Sequence, residues 1–217
     1  AVGPTLARFG VGDALADPVV RVLAADGREV ATNRDWRLAP DAASLPALFA
    51  SVGAFALDAS SRDAALRVSL APGGYTLEVS SASGGRGSVL AELYAANGGT
   101  SVRNLSSLTV LADGASLIGG VAITAAAPRR VLVRAVGPAL AQFGVGNAMS
   151  DTTLTVYSGA RAVASNDDWS YEANASEIAT AAASTGAFEL PPGGTDAALL
   201  LTLEPGTYTM QAGSKTG

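Results

Sequence analysis

The chain has 217 residues and a net charge of −5, with 13 arginines against a single lysine, and it contains neither cysteine nor histidine. Without thiols or imidazoles it has no disulfide, no thiolate metal site, no cysteine nucleophile and no histidine base, so the composition speaks against an enzyme. The acidic balance, with its arginines scattered, speaks against nucleic acid as a partner, and no apolar run of about 20 residues is present to form a membrane-spanning helix.

In chain order, Pro4 to Phe9 begins with the residue that suits a first helical turn and stops at Gly10, which predicts a short helix. Val19 to Leu23 reads as a strand, a glycine-containing turn follows, and a second strand ends at Asn33. Beyond Trp36, the apolar residues Leu45, Leu48, Phe49 and Val52 fall at i, i+3, i+4 and i+7. That stripe predicts an amphipathic helix lying across an open end or face of a sheet. Asp63 to Leu70 is an apolar-rich strand that runs into Pro72-Gly73. Proline fixes φ at one central turn position and glycine permits φ > 0 at the next, so a type II turn should fold it into a hairpin with Tyr75 to Val79. Gly87 to Tyr94 reads as the last strand of this block, and Asn97-Gly98-Gly99 as a loop or linker.

Most of this then recurs. Ala1-Val2-Gly3-Pro4 and Phe9-Gly10-Val11-Gly12 return as Ala135-Val136-Gly137-Pro138 and Phe143-Gly144-Val145-Gly146, a shift of 134 residues. After a one-residue deletion the shift is 133: Asn33-Arg34-Asp35-Trp36 answers Asn166-Asp167-Asp168-Trp169, Asp63 to Leu66 answers Asp196 to Leu199, and Pro72-Gly73 with Tyr75 answers Pro205-Gly206 with Tyr208. The second helices are then Pro138 to Phe143 and the stretch bearing Ile178, Ala179, Ala182 and Thr185. The second strands are Leu154 to Tyr157, one ending at Asn166, Asp196 to Leu203, and Tyr208 to Ala212. Three unrepeated strands, Arg103 to Leu111, Leu117 to Thr124 and Arg130 to Val136, open the second copy.

A complete unit would hold about eight strands, which predicts an all-β fold: two jelly-roll or sandwich-like repeat domains, each with short helices inserted between strands. Residues 1–97 form a first copy that lacks its opening strands, and 98–217 a second that lacks its closing strand. Cut in this way, and without an initial Met, the chain reads as a piece of something longer. Apolar faces and unpaired strand edges left in water are costly, so the missing strands should come from adjacent repeats or from other copies of the chain.

The runs Arg103-Asn104-Leu105-Ser106, Leu117-Ile118-Gly119-Gly120, Val131-Leu132-Val133-Arg134-Ala135-Val136-Gly137-Pro138, Phe143-Gly144-Val145, Asn166-Asp167-Asp168-Trp169, Asp196-Ala197-Ala198-Leu199 and Leu203-Glu204-Pro205-Gly206-Thr207-Tyr208-Thr209 together resemble a tandem β-sandwich repeat of very large secreted bacterial surface proteins. That resemblance covers nearly the whole chain. The second half of the unit is similar, over less than half the chain, to the bacterial pre-peptidase C-terminal type of β-sandwich, with its Asn/Asp-rich turn and Pro-Gly-x-Tyr hairpin. Both resemblances imply an extracellular, non-enzymatic module, and neither brings catalytic residues.

Asn166, Asp167 and Asp168, with Asp151 or Asp196 near in space, are the candidate ligands for a metal, and their oxygens would suit Ca²⁺. The competing reading is an Asx-turn, whose side chains bond local backbone N–H groups at a strand end. Copy one has Arg34 where copy two has Asp167, which counts against a cation there. Asp63 and Asp196, each opening an apolar strand, read as turn caps. Trp36 and Trp169 would be sugar-stacking platforms if exposed, but their place just before a docking helix favours a core or lid position. Tyr75 and Tyr208 resemble corner tyrosines that bond back to backbone. The function expected is a structural repeat module of an extracellular bacterial fibre, stalk or adhesin at the cell surface, joined head to tail by strand complementation. The alternative is a carbohydrate- or surface-binding module of a secreted protein, with a surface glycan as partner.

Overall fold

A computed structural model describes residues 1–96, 104–112 and 114–215. The chain divides into two compact units, Ala1–Val102 and Arg103–Gly217. The boundary expected at 97/98 and the loop Asn97-Gly98-Gly99 lie outside the described residues. Unit 1 holds β1 (Pro18–Ala24), β2 (Glu29–Asn33), α1 (Leu45–Val52) and β3 (Tyr75–Ser81). Unit 2 holds β4 (Leu117–Ile123), β5 (Arg129–Ala135), β6 (Thr152–Ser158), β7 (Arg161–Asn166), α2 (Ala175–Thr185), β8 (Ala197–Leu203) and β9 (Gly206–Ser214). The strands form antiparallel sheets and the helices are few and short, so the fold is all-β.

In unit 2 four strands pair in the order β4-β9-β6-β7, and β5 and β8 form a separate ribbon. The sequence of β8, Ala-Ala-Leu-Leu-Leu-Thr-Leu, lacks polar alternation because both of its faces are covered. Ala197, Leu199 and Leu201 meet Leu154 and Val156 of β6 and Met210 and Ala212 of β9. Ala198 and Leu200 turn the other way, to Trp169, Ile178 of α2 and Leu190. The ribbon is thus a middle layer between the four-stranded sheet and the helical segments.

This pairing overturns the hairpin that the Pro-Gly turns predict. β8 is zipped to β5 from Ala135↔Ala197 to Arg129↔Leu203, while β9 lies between β4 and β6. Pro205-Gly206 therefore carries the chain from one sheet to the other. In copy one the predicted type II turn is also absent, since Gly73 is not among the glycines with positive φ. The corner tyrosines do bond back to backbone, Tyr208 Oη to Glu204 O at 3.0 Å and Tyr75 Oη to Ala71 O at 3.1 Å.

Unit 1 is built on the same plan with fewer strands. Its sheet runs β2-β1-β3, with Val20 and Val22 of the central strand buried. A register irregularity at Val22/Leu23 returns at the equivalent Val156/Tyr157. The 3-10 helices Pro4–Phe9 and Pro138–Phe143 both end on a left-handed glycine, as their sequences predict. Three predicted strands are not strands among the described residues. Asp63 to Leu70 answers β8, but beyond the Ala64 pair with Ala1 no ladder continues along it among the described residues. Gly87 to Tyr94 makes only single bridges, Ser88 with Ala14 and Leu90 with Val2. Residues 104–111, from the predicted strand starting at Arg103, form no ladder among the described residues, and Leu105, Leu108 and Val110 are exposed. Apolar patterning makes a segment competent to be a strand, and a hydrogen-bonded neighbour makes it one.

Candidate functional site

Each unit is closed by the same long-range bonds. Asp63 and Asp196 are fully buried, and each caps the start of a 3-10 helix some sixty residues earlier in the chain. Asp63 Oδ1 accepts from Gly3 N at 2.7 Å, and its carboxylate also takes Thr5 N and the Thr5 hydroxyl. Asp196 Oδ1 accepts from Gly137 N at 2.8 Å and Ala139 N at 3.3 Å, while its Oδ2 has no hydrogen-bond partner among the described residues. The turn-cap reading of these aspartates is correct in kind, but the turn each one caps is remote. Trp36 N and Trp169 N donate to the Asp63 and Asp196 carbonyls at 2.9 and 3.0 Å. Both indoles are buried, at 9% and 6% exposure, and neither presents an open face for stacking.

Asn33 and Asn166 latch the next residues. Asn166 Oδ1 accepts from Ala198 N at 2.9 Å, and Asn33 Oδ1 from Ala65 N at 3.1 Å. The remaining donor of Asn166 reaches Glu172 at 2.9 Å. Asn166 thus serves the backbone and a neighbouring carboxylate. Asp167 faces Lys215, whose ammonium lies 2.7 Å from Asp167 Oδ2 and 3.9 Å from Asp168 Oδ2. The candidate ligands are adjacent in sequence yet turn to different partners. Asp196 is committed to Gly137 and Ala139, and Asp151 Oδ1 is buried without a hydrogen-bond partner among the described residues. No group of three or more acidic side chains that could hold a metal occurs among the described residues.

The hydrogen bond from Lys215 holds the Asp167 carboxyl below the usual carboxylate range, and Asp167 in turn raises Lys215. For a carboxyl depressed in the folded state, the contribution is present above its unfolded pKa and is lost as pH falls through the folded one. The contact should therefore survive at neutral pH and open in acid, loosening the end of β9 from the turn after β7. Both groups are about half exposed, so the effect on global stability is small. An NMR titration of Asp167 with and without Lys215→Met checks this: the carboxyl should return toward its ordinary range in the variant.

Family models, curated proteins and solved structures give no match to this chain.

Ala64 N donates to Ala1 O at 3.0 Å and Ala1 N to Ala64 O at 2.7 Å, a closed hydrogen-bonded pair. Ala65 N points the other way, to Asn33. Among the described residues the N–H groups of Leu66, Val68 and Leu70 have no hydrogen-bond partner. In unit 2 the equivalent edge is covered along its whole length by β5. Sequence reasoning matches Asp63 to Leu70 with β8 through the internal repeat. It did not find Arg134, whose guanidinium carbon sits 4.3 Å from the Phe188 ring centroid and whose Nη1 donates to Phe188 O at 2.6 Å. Burial pushes this guanidinium down, and the Asp196 carboxylate opposes the shift.

No helix among the described residues is long and apolar enough to cross a membrane.

Proposed function

We propose that this chain is a structural repeat module of an extracellular bacterial fibre, stalk or adhesin, in which neighbouring units complete one another by strand addition. The observation that carries the reading is the plan that the two units share: the Asp63 and Asp196 carboxylates, and the Asn33 and Asn166 amides, make the same long-range backbone bonds in each. Units that repeat one fold plan along a chain are the mark of a tandem array. The jelly-roll or sandwich part of the reading is supported by the core that β5 and β8 share with the four-stranded sheet. The buried indoles weigh against the alternative of a glycan-binding face, for which Trp36 or Trp169 would need to be open.

Purified chain should associate in a concentration-dependent way, seen by light scattering, and form fibres or strings in negative stain. Heating those assemblies in denaturant should release poorly folded monomers. Stable, well-folded monomers at all concentrations would overturn the assembly. Intrinsic fluorescence should stay constant on titration with polysaccharides; a saturable change would favour the glycan-binding alternative.

A further inference from the structure

We infer that the outer face of the four-stranded sheet in unit 2 carries a groove for a neutral saccharide, built from Ser116, Thr153, Thr155, Tyr157, Gln211 and Gly213. This goes beyond the role of a structural repeat and does not depend on it.

Alternation along β6 sends Leu154 and Val156 into the core and leaves Thr153, Thr155 and Tyr157 half-buried on the opposite face. The register of β9 sets Gln211 beside Thr155 and Gly213 beside Thr153. Gly213 makes the depression. A Cβ there would lie 3.3 Å from Ser116 Oγ and 3.8 Å from Thr153 Oγ1, so the glycine leaves open the space on which these two hydroxyls converge. Gln211 Nε2 donates to Ser116 Oγ at 2.9 Å, which fixes the amide beside the serine. Among the described residues the hydroxyls of Thr153, Thr155 and Tyr157 make no hydrogen bond. The groove encloses about 270 Å³. That is a little under the roughly 300–1,000 Å³ of pockets for larger small molecules, and suits a single sugar ring.

The lining selects the class of ligand. Among the described residues no charged side chain borders the groove. Hydroxyl and amide groups both donate and accept, as the ring hydroxyls of a sugar do. A carboxylate, sulfate or phosphate would find no cation there, and an apolar molecule would strand the hydroxyls. The Tyr157 ring adds an apolar surface for the C–H face of a pyranose and a hydroxyl beside it. Unit 1 shows that the fold does not require this lining. The rung that pairs Thr155 with Gln211 is there Arg21 with Glu78, and Leu23 answers Tyr157. Arg21 lies 3.5 Å from Glu78 and 4.0 Å from Glu29, so those charges satisfy one another. Neither tryptophan takes part. Trp169 packs against Ala198 on the far side of the β5–β8 ribbon, so its emission does not report on this face.

The test titrates the full chain with the methyl glycosides of glucose, galactose, mannose and N-acetylglucosamine, and separately with glucuronate, following backbone amide shifts by NMR. At least one neutral glycoside should move the amides of Thr153, Thr155, Gln211 and Gly213 saturably, and glucuronate should not. The double variant Thr155→Arg with Gln211→Glu sets the ion pair of unit 1 into the groove. With β5 and β8 protected as in the parent, it should bind at least about tenfold more weakly. Tyr157→Ala, a change on the outer face alone, should give a loss of the same order and decides if the double variant fails to fold. The inference is overturned if no neutral glycoside shifts these amides, if glucuronate binds as well as they do, or if the folded variants bind as the parent does. Light scattering reads assembly separately. Association without sugar binding sinks this inference alone, and sugar binding without association sinks only the assembly.

Discussion

Asp196→Ala is expected to destabilise unit 2 by about 3 kcal/mol, since two buried backbone N–H groups lose the one acceptor they have among the described residues, at roughly 1–3 kcal/mol each. The groups are those of Gly137 and Ala139, and both bond to the same carboxylate oxygen. The loss is partly offset because a fully buried charge disappears with the side chain. Asp196→Asn separates these effects. It keeps the accepting oxygen and removes the buried charge, but sets an NH₂ where Oδ2 has no hydrogen-bond partner among the described residues, so its cost should be about 1–2 kcal/mol, below that of Asp196→Ala.

The first unit should answer differently to the same change. Asp63 uses both oxygens, and the second takes the Thr5 hydroxyl, whose oxygen already accepts from Asp58 N at 3.0 Å. An amide NH₂ at that position confronts an occupied hydroxyl, so Asp63→Asn should cost more than Asp196→Asn. Copy two carries Ala139 where copy one has Thr5. Ala139→Thr should therefore give Asp196 the donor it lacks and stabilise unit 2 by about 1 kcal/mol. Urea unfolding of the whole chain, read by amide exchange in β5 and β8 for unit 2 and in β1 to β3 for unit 1, measures all four variants. If Asp196→Ala unfolds with its parent, the aspartate is not the clasp of the unit.

Local signals carried some of this into the sequence and lost the rest. Pro4 and Gly10, and Pro138 and Gly144, bound their 3-10 helices because each end is decided within a few residues. The strands around Val20 and Leu154 were legible for the same reason, as were the burial of both tryptophans and the bonds of Tyr75 and Tyr208. Pairing was not legible, because it is decided across the chain. Nothing local to Pro205-Gly206 says that β8 is already held by β5 and that β9 must cross to another sheet. The apolar run of β8 was the available hint, since a hairpin strand with one wet face would alternate. The acidic turn had the same difficulty: Asn166, Asp167 and Asp168 look like one ligand set until Ala198, Glu172 and Lys215 are placed beside them. In copy one, Asp63 to Leu70 has the pattern of a strand and lacks only the neighbour that would make it one.

Gly137→Ala should be the more damaging of the two largest changes, at roughly 3 kcal/mol or more, because it forces backbone into backbone. A methyl group on Gly137 would lie 2.3 Å from the Met149 carbonyl oxygen and 2.7 Å from Thr152 Cγ2. Gly3 stands in the same place in unit 1, with its added carbon 2.0 Å from the Leu15 carbonyl oxygen. Thr152 cannot simply give way, since its hydroxyl donates to Ala135 O at 2.9 Å and accepts from Ala197 N at 3.0 Å. The clash therefore reaches the junction of β5, β6 and β8, where the core of unit 2 begins. Two neighbouring glycines supply the contrast. Gly144 has φ +82° and open space around it, so alanine there meets only the left-handed backbone penalty, about 1 kcal/mol. Gly146 has neither a close neighbour nor a positive φ, and alanine there should be nearly neutral. Urea midpoints for the three variants should fall in the order Gly146→Ala, Gly144→Ala, Gly137→Ala. A Gly137→Ala protein no weaker than Gly144→Ala would mean that the loop carrying Met149 can retreat, and that the close approach found in both units is not what joins the 3-10 helix to the sheet.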